Sequence, residues 1–317
     1  PYDVSTFGGD FKLWVQYANT LRLRLAMRVS KVNAGLAQTQ AVAAVGHKYG
    51  VLESTPFAVA TGGSHYLATI SNIWKDILLN ADMECYLNGF KDPRAAKYAR
   101  ISTAPTSIAG SIKGIRNGII VLNKDYKGHS TLNFNSTDKI TLMTTSESYF
   151  LRAEGALYGW DMKGTAQNFY EQGVSKSFDQ YGLGGVSAYL SDANSKPAAY
   201  VDAVDSQNDL PSPSDVTIQW DESLNQDKKL EKIITQKWIA LFPDGQEAWS
   251  ELRRTTYPKI FPNKINDSQG QVPNGKFIRR LPYPSYFTTS NPKRVAEAVT
   301  KLGGPDQAGT PLWWDKN

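Results

Sequence analysis

The chain has few of the residue types that build most metal and redox centres. It carries 1 cysteine, Cys85, and 3 histidines in 317 residues. A lone thiol excludes a disulfide frame and a thiolate metal cage. His47, His65 and His129 are too dispersed to suggest a shared metal by spacing. No apolar run reaches the ~18 residues that mark a membrane-spanning helix, and no signal peptide or acylated cysteine opens the chain. It starts at Pro1 with no methionine, as a fragment would. Nucleotide signatures are missing as well. No GxGxxG follows a strand, and the Gly-Gly pairs at 62–63, 184–185 and 303–304 lack the Lys-Ser/Thr of a phosphate loop. No GxSxG nucleophile elbow occurs. Neither a metal nor an organic cofactor is expected, although loop carbonyls with Asp or Asn side chains would suit a calcium ion.

What is present is ordinary in bulk and rich in one class. Hydrophobic residues at 41% and charged residues at 21% describe a globular protein with a sizeable core. Aromatics reach 11%, with 8 Trp and 16 Tyr, and on a surface such rings stack on sugars or anchor interfaces. The net charge of +5 comes from scattered Lys and Arg. Arg22, Arg24 and Arg28 are the nearest thing to a cluster, and helical amphipathicity accounts for them, so nucleic acid is not an expected partner. No composition shift divides the chain, and residues 1–317 read as one domain.

Periodicity predicts helices through most of it. In the stretch 230–258, Leu230, Ile233, Ile234, Trp238 and Leu241 share one helical face, and Pro243 closes that helix. Asp244 and Glu247 are spaced as a capping box for a second helix, which ends on Arg253-Arg254, the sign its dipole favours. Trp238 and Trp249 are expected to be buried together where the two helices meet. Another pair runs from 146 to 160 and from 165 to 181, spaced like a tetratricopeptide-type hairpin. A first long helix, 10–29, is predicted to bury Phe11, Trp14, Val15, Ala18, Leu21 and Leu25. Further helices are expected at 33–50, 82–87 and 292–302, with loops and short strands in 91–142. The fold class is all-α: an α/α superhelix of tetratricopeptide-like pairs, with long loops and a few small β-hairpins.

Several segments, in order along the chain, resemble the C-terminal portion of the SusD/RagB family. They are FKLWVQYANTLRLRLAMRVS, WKDILLNADMECYLNGFKDPR, SESYFLRAEGALYGW with FYEQGVSKSF, LEKIITQKWIALFPDGQEAWSELRRTTYP, and RRLPYPSYFTTSN with a terminal WWD. The family's usual lipoprotein signal and N-terminal helical repeats have no counterpart in these segments. The resemblance implies a non-enzymatic glycan-binding protein, for starch-type or other oligosaccharides, on the outward face of the outer membrane. It further implies delivery to a SusC-like TonB-dependent transporter, with membrane attachment only through an N-terminal lipid absent from this chain.

The segment 57–74 is the candidate binding site. Gly62 and Gly63 free the backbone, Phe57, Tyr66 and Trp74 offer flat faces, and His65 and Asn72 offer hydrogen bonds. Sugars need that mixture of stacking faces and amide or imidazole groups, and the family implies an aromatic arc in this region. The competing reading puts Leu67, Ile70, Trp74 and Ile77 on the core stripe of a helix. Asp92-Pro93-Arg94 reads as a turn in which Asp caps and Arg returns a bond. Glu147, Glu154 and Asp221 are the carboxylates a helical glycoside hydrolase would use, the alternative to a binder. A helical-repeat adaptor for peptides is a third reading. Arg253-Arg254 serve the helix end in preference to an anionic ligand, and Trp313-Trp314 dock the terminus in preference to a sugar.

Overall fold

The computed structural model describes residues 2–121 and 125–316. Pro1 and the final residue of the LWWDKN tail therefore lie outside the described residues, as do positions 122–124. The fold is 43% helix and 4% strand. It opens with α1 (Phe11–Arg28) and α2 (Ala34–Val45), then β1 (Phe57–Val59) and a π-helical turn over Ala68–Ile73. Next come α3 (Ala81–Gly89), the short α4 (Ala95–Tyr98), β2 (Ile140–Met143), and the pair α5 (Thr145–Leu157) and α6 (Ala166–Gln180). The short α7 (Val186–Leu190) leads to α8 (Gln226–Leu241), α9 (Gly245–Thr255), α10 (Ser285–Ser290) and α11 (Pro292–Leu302).

Side-chain caps start most of the long helices. Asp10, Asn33, Asn80, Thr144, Thr165, Asn225 and Asp244 each accept from a backbone N–H in the first turn, which satisfies donors the helix leaves open. The box at 244–247 is half-formed. Asp244 accepts from the Glu247 N–H at 3.1 Å, but the Glu247 carboxylate turns inward to Arg28. Strand is limited among the described residues to one named pair. β1 and β2 are antiparallel, with Phe57 opposite Met143, so the sheet closes a long excursion of the chain and is not a local hairpin.

Helix α5 is the central element. Every residue from Thr145 to Gly155 is buried, and α6, α8 and α1 all pack on it. The α5–α6 contact uses Gly173, where a Cβ would lie 2.8 Å from the Phe150 ring. Glycine is therefore what lets the two helices approach so closely.

The buried face of α1 differs from the one its apolar period indicates. Thr20, Leu23, Ala26 and Met27 face inward, whereas Phe11 is 70% and Leu25 56% exposed. Two sets of partners explain the rotation. Thr20 Oγ1 accepts from the Leu52 N–H at 2.9 Å, and Asn19 Nδ2 donates to the Gly50 carbonyl at 2.7 Å. Arg24 and Arg28 meanwhile reach interior carboxylates.

Those carboxylates belong to a charged layer joining α1, α5, α8 and α9. Arg24 donates to Glu147 at 2.7 Å and Arg28 to Glu247 at 2.6 Å. Lys237 lies 3.3 Å from Glu251, and Arg254 holds both Glu154 and Glu251. Four cations thus meet four carboxylates away from water, an arrangement stable only while each charge keeps its partner. The two tryptophans of the 230–258 stretch are not buried at one contact. Trp238 is half-buried edge-on to Tyr86 at 5.3 Å. Trp249 is half-buried under the Arg253 guanidinium at 3.7 Å and donates to the Ile278 carbonyl.

Candidate functional site

The 57–74 segment divides into an anchored half and a presented half. Phe57 lies in β1 and is 6% exposed, its ring 4.4 Å from Tyr17, 5.0 Å from Phe7 and 5.2 Å from Trp14. It has no free face and packs in the core. His65 is buried, its ring stacked flat on Phe134 at 4.9 Å and 8°. Burial lowers its proton affinity, against the opposing charge of Asp138, so it sits there as a neutral imidazole. Asn72 Nδ2 donates to the Phe134 carbonyl at 3.0 Å, while its Oδ1 has no partner among the described residues. Both polar groups therefore tie the segment to the 134–138 loop.

Tyr66 and Trp74 are presented outward, 65% and 60% exposed. The π turn between them is the cause. Trp74 N–H donates to the Thr69 carbonyl at 3.0 Å, an i→i+5 bond, and the wider turn shifts the register expected of an α-helix. Ile70 stays buried, but Trp74 and Ile77 leave the core stripe and face outward.

The residues that follow Trp74 form one wall of a cleft of about 400 Å³, with Lys75, Asp76 and Asn80 facing Arg116, Asn117 and Gly118. Asn80 and Ile115 hold the two walls together, the Ala81 N–H donating to the Ile115 carbonyl at 2.9 Å. Sequence reading passed over 115–118, because nothing in a loop with this composition signals that it will lie beside residue 75. The cleft carries both charges, amides and aliphatic edges, a lining suited to a polar ligand with apolar patches.

The carboxylates that a hydrolase would use are placed differently. Glu147 is buried; Arg24 and Lys237 outweigh the desolvation that would raise its pKa and hold it below the usual carboxylate range. Glu154 is buried against Arg254 and accepts from the Tyr158 hydroxyl at 2.8 Å. Asp221 is exposed and caps its own turn through the Ser223 N–H at 2.8 Å. The structure does not bring the three together. Asp92 and Arg94 form a buried turn: the Arg94 N–H and guanidinium both donate to Asp92, and the guanidinium also reaches Gln236 at 2.8 Å. Trp314 docks beneath Arg28 and Arg253, at 5.0 and 4.7 Å, while Trp313 stays exposed.

Among solved structures, the chain is similar to a chitin-binding SusD homolog from Flavobacterium johnsoniae. The TM-score is 0.96 and the identity 44%, over 99% of this chain and 66% of that one. A SusD homolog from Bacteroides uniformis matches at TM-score 0.92 and 39% identity, over 98% of this chain and 66% of that one. One from Bacteroides vulgatus matches at 0.91 and 36%, over 96% and 63%. The chain thus spans slightly less than two thirds of the length of these relatives. No curated protein matches it. The family model for SusD-like proteins, described as SusD and RagB outer membrane lipoprotein, matches residues 2–315. This chain belongs to the SusD-like family.

Proposed function

We propose that this chain is the glycan-binding portion of a non-enzymatic cell-surface protein, folded as one domain over 1–317. In this reading Trp74 and Tyr66 stack on sugar rings, and the cleft beside Trp74 meets the hydroxyl and amide groups. His65, Asn72 and Phe57 take part from behind, by holding the segment in shape. The protein sits on the outward face of the outer membrane and passes oligosaccharide to a SusC-like TonB-dependent transporter.

The observation that carries the reading is the exposure of Trp74. A large aromatic side chain left 60% in water, next in sequence to the Lys75 wall of a mixed polar cleft, is a ready stacking face. Of the carboxylates, by contrast, Glu147 and Glu154 are committed to buried ion pairs and Asp221 to its own turn, which favours a binder over a hydrolase. A 44%-identical relative that binds chitin makes β-1,4-linked N-acetylglucosamine oligomers the first ligand to try, with starch-type oligomers as the comparison.

The test is calorimetric titration of the parent and Trp74→Ala with both series, beside a thermal melt of each. Loss of a stacked ring removes ~1–1.5 kcal/mol beyond its area, so affinity is expected to fall about tenfold while the melting temperature holds. Cleaved sugar in the cell would favour the hydrolase. An unchanged affinity in Trp74→Ala would move the site elsewhere.

A further inference from the structure

The cleft beside Trp74 does not stand alone. It shares Tyr126 with a second cleft of about 300 Å³, lined also by Asp205, Gln207 and Lys264. That one shares Ile265 with a third, of about 400 Å³, lined by Asn266, Asp267, Gln271 and Lys276. The three are fastened together by backbone bonds. The Lys264 N–H donates to the Asn117 carbonyl, and the Ile265 N–H to the Gly118 carbonyl at 2.9 Å. Gly118 has φ +73, and a Cβ there would lie 2.8 Å from the Asn263 side chain, so glycine is needed for this join.

Each cleft is of a size that takes a small ligand, and each is lined by both signs of charge: Lys75, Arg116 and Lys127 with Asp76, Lys264 with Asp125 and Asp205, Lys276 with Asp267. Taken together, five cations face four carboxylates, so the joined lining is near balance and has no strong net sign to attract a polyanion. It is rich in amide side chains, which both donate and accept, and so suits a neutral chain of repeated hydroxyl and amide groups. We infer that the three clefts form one extended site, in which a linear neutral oligosaccharide stacked at Trp74 runs on past Tyr126 to the 266–276 loop. The inference rests on the glycan reading above and adds to it a preference for long chains, since linked contacts multiply affinity.

The experiment titrates N-acetylglucosamine oligomers of two to eight units into the parent, Trp74→Ala, and the double variant Gln271→Ala/Lys276→Ala. Gln271 and Lys276 are exposed, and their side chains make no hydrogen bond among the described residues, so the double variant is expected to melt with the parent. Parent affinity should rise by about tenfold or more with chain length. The double variant should lose that rise while keeping the parent's affinity for the shortest oligomers, and Trp74→Ala should weaken all lengths. Binding that is Trp74-dependent but independent of length, or a double variant that keeps the rise, overturns the extended site and leaves the glycan reading standing. If no oligomer binds the parent, both fail together.

Discussion

Arg254 is the residue whose removal should be felt most. It has no exposure to water, and it donates to Glu154 at 2.5 and 2.7 Å and to Glu251 at 2.6 and 3.1 Å. Those two carboxylates hold its proton well above the usual arginine range, against the cost of burial. Cutting it to alanine leaves both acids buried with their main cation gone. Breaking such a pair from one side costs ~3–5 kcal/mol, so Arg254→Ala should lower the unfolding free energy extrapolated from urea melts by that amount. A neutral result would mean that water reaches Glu154 and Glu251. The pattern that motivated Arg253-Arg254, cations at a helix end, pointed to structural use. It did not indicate that one arginine would be sealed in the core while the other stacks between Trp249 and Trp314.

At the scale of elements, the α5–α6 pair sets the geometry of the helical layer. A Cβ added to Gly173 meets the Phe150 ring at 2.8 Å, and Phe150 is itself buried. Gly173→Ala gains helix propensity, about 1 kcal/mol, but must displace a packed ring, which costs ~1–3 kcal/mol. The net expectation is a destabilised protein, read as a lower melting temperature. It should be relieved in part by Phe150→Leu on the same chain. If Gly173→Ala alone raised the melting temperature, the approach of α5 and α6 would have room for a methyl group at Gly173. The hairpin itself was legible in sequence, because apolar spacing and the Thr165 cap mark both of its helices. The π turn at 68–73 was not, since the extra residue in a turn leaves no periodic trace over six positions.

The whole molecule links distant segments through buried polar groups, and Asp82 makes one such link testable. Its carboxylate accepts from the Phe261 N–H at 2.7 Å, joining α3 to a loop far along the chain. Burial pushes its pKa up from 3.8 to about 6, against backbone hydrogen bonds and the charge of Arg116. Below pH ~4 the folded and unfolded chains both hold this proton. Between pH ~4 and ~6 only the folded chain does, so the stability it contributes falls as pH rises through that window and stays low above it. The size is about 3 kcal/mol, from about two pKa units. Asp82→Asn keeps the acceptor for Phe261 and should be more stable than the parent at pH 7, with the advantage gone at pH 4. Equal pH slopes in the two proteins between pH ~4 and ~6 would show that Asp82 takes up no extra proton on folding.

Composition and local pattern alone determined the helical class, the positions of most long helices, their caps and the family to which the chain belongs. All of these follow from residues within a turn or two of one another, or from their order along the chain. Tertiary structure alone decided which way the helices face. α1 turns its apolar stripe of Phe11 and Leu25 to the outside because Arg24 and Arg28 have carboxylates to meet on α5 and α9, and an unpaired buried charge costs more than an exposed leucine. It also separated the five residues of the 57–74 segment, sending Phe57 into an aromatic cluster and Trp74 into water. The cleft at Trp74 is the clearest case: its second wall comes from 115–118, some forty residues away, and no local period can encode a surface made by two loops meeting.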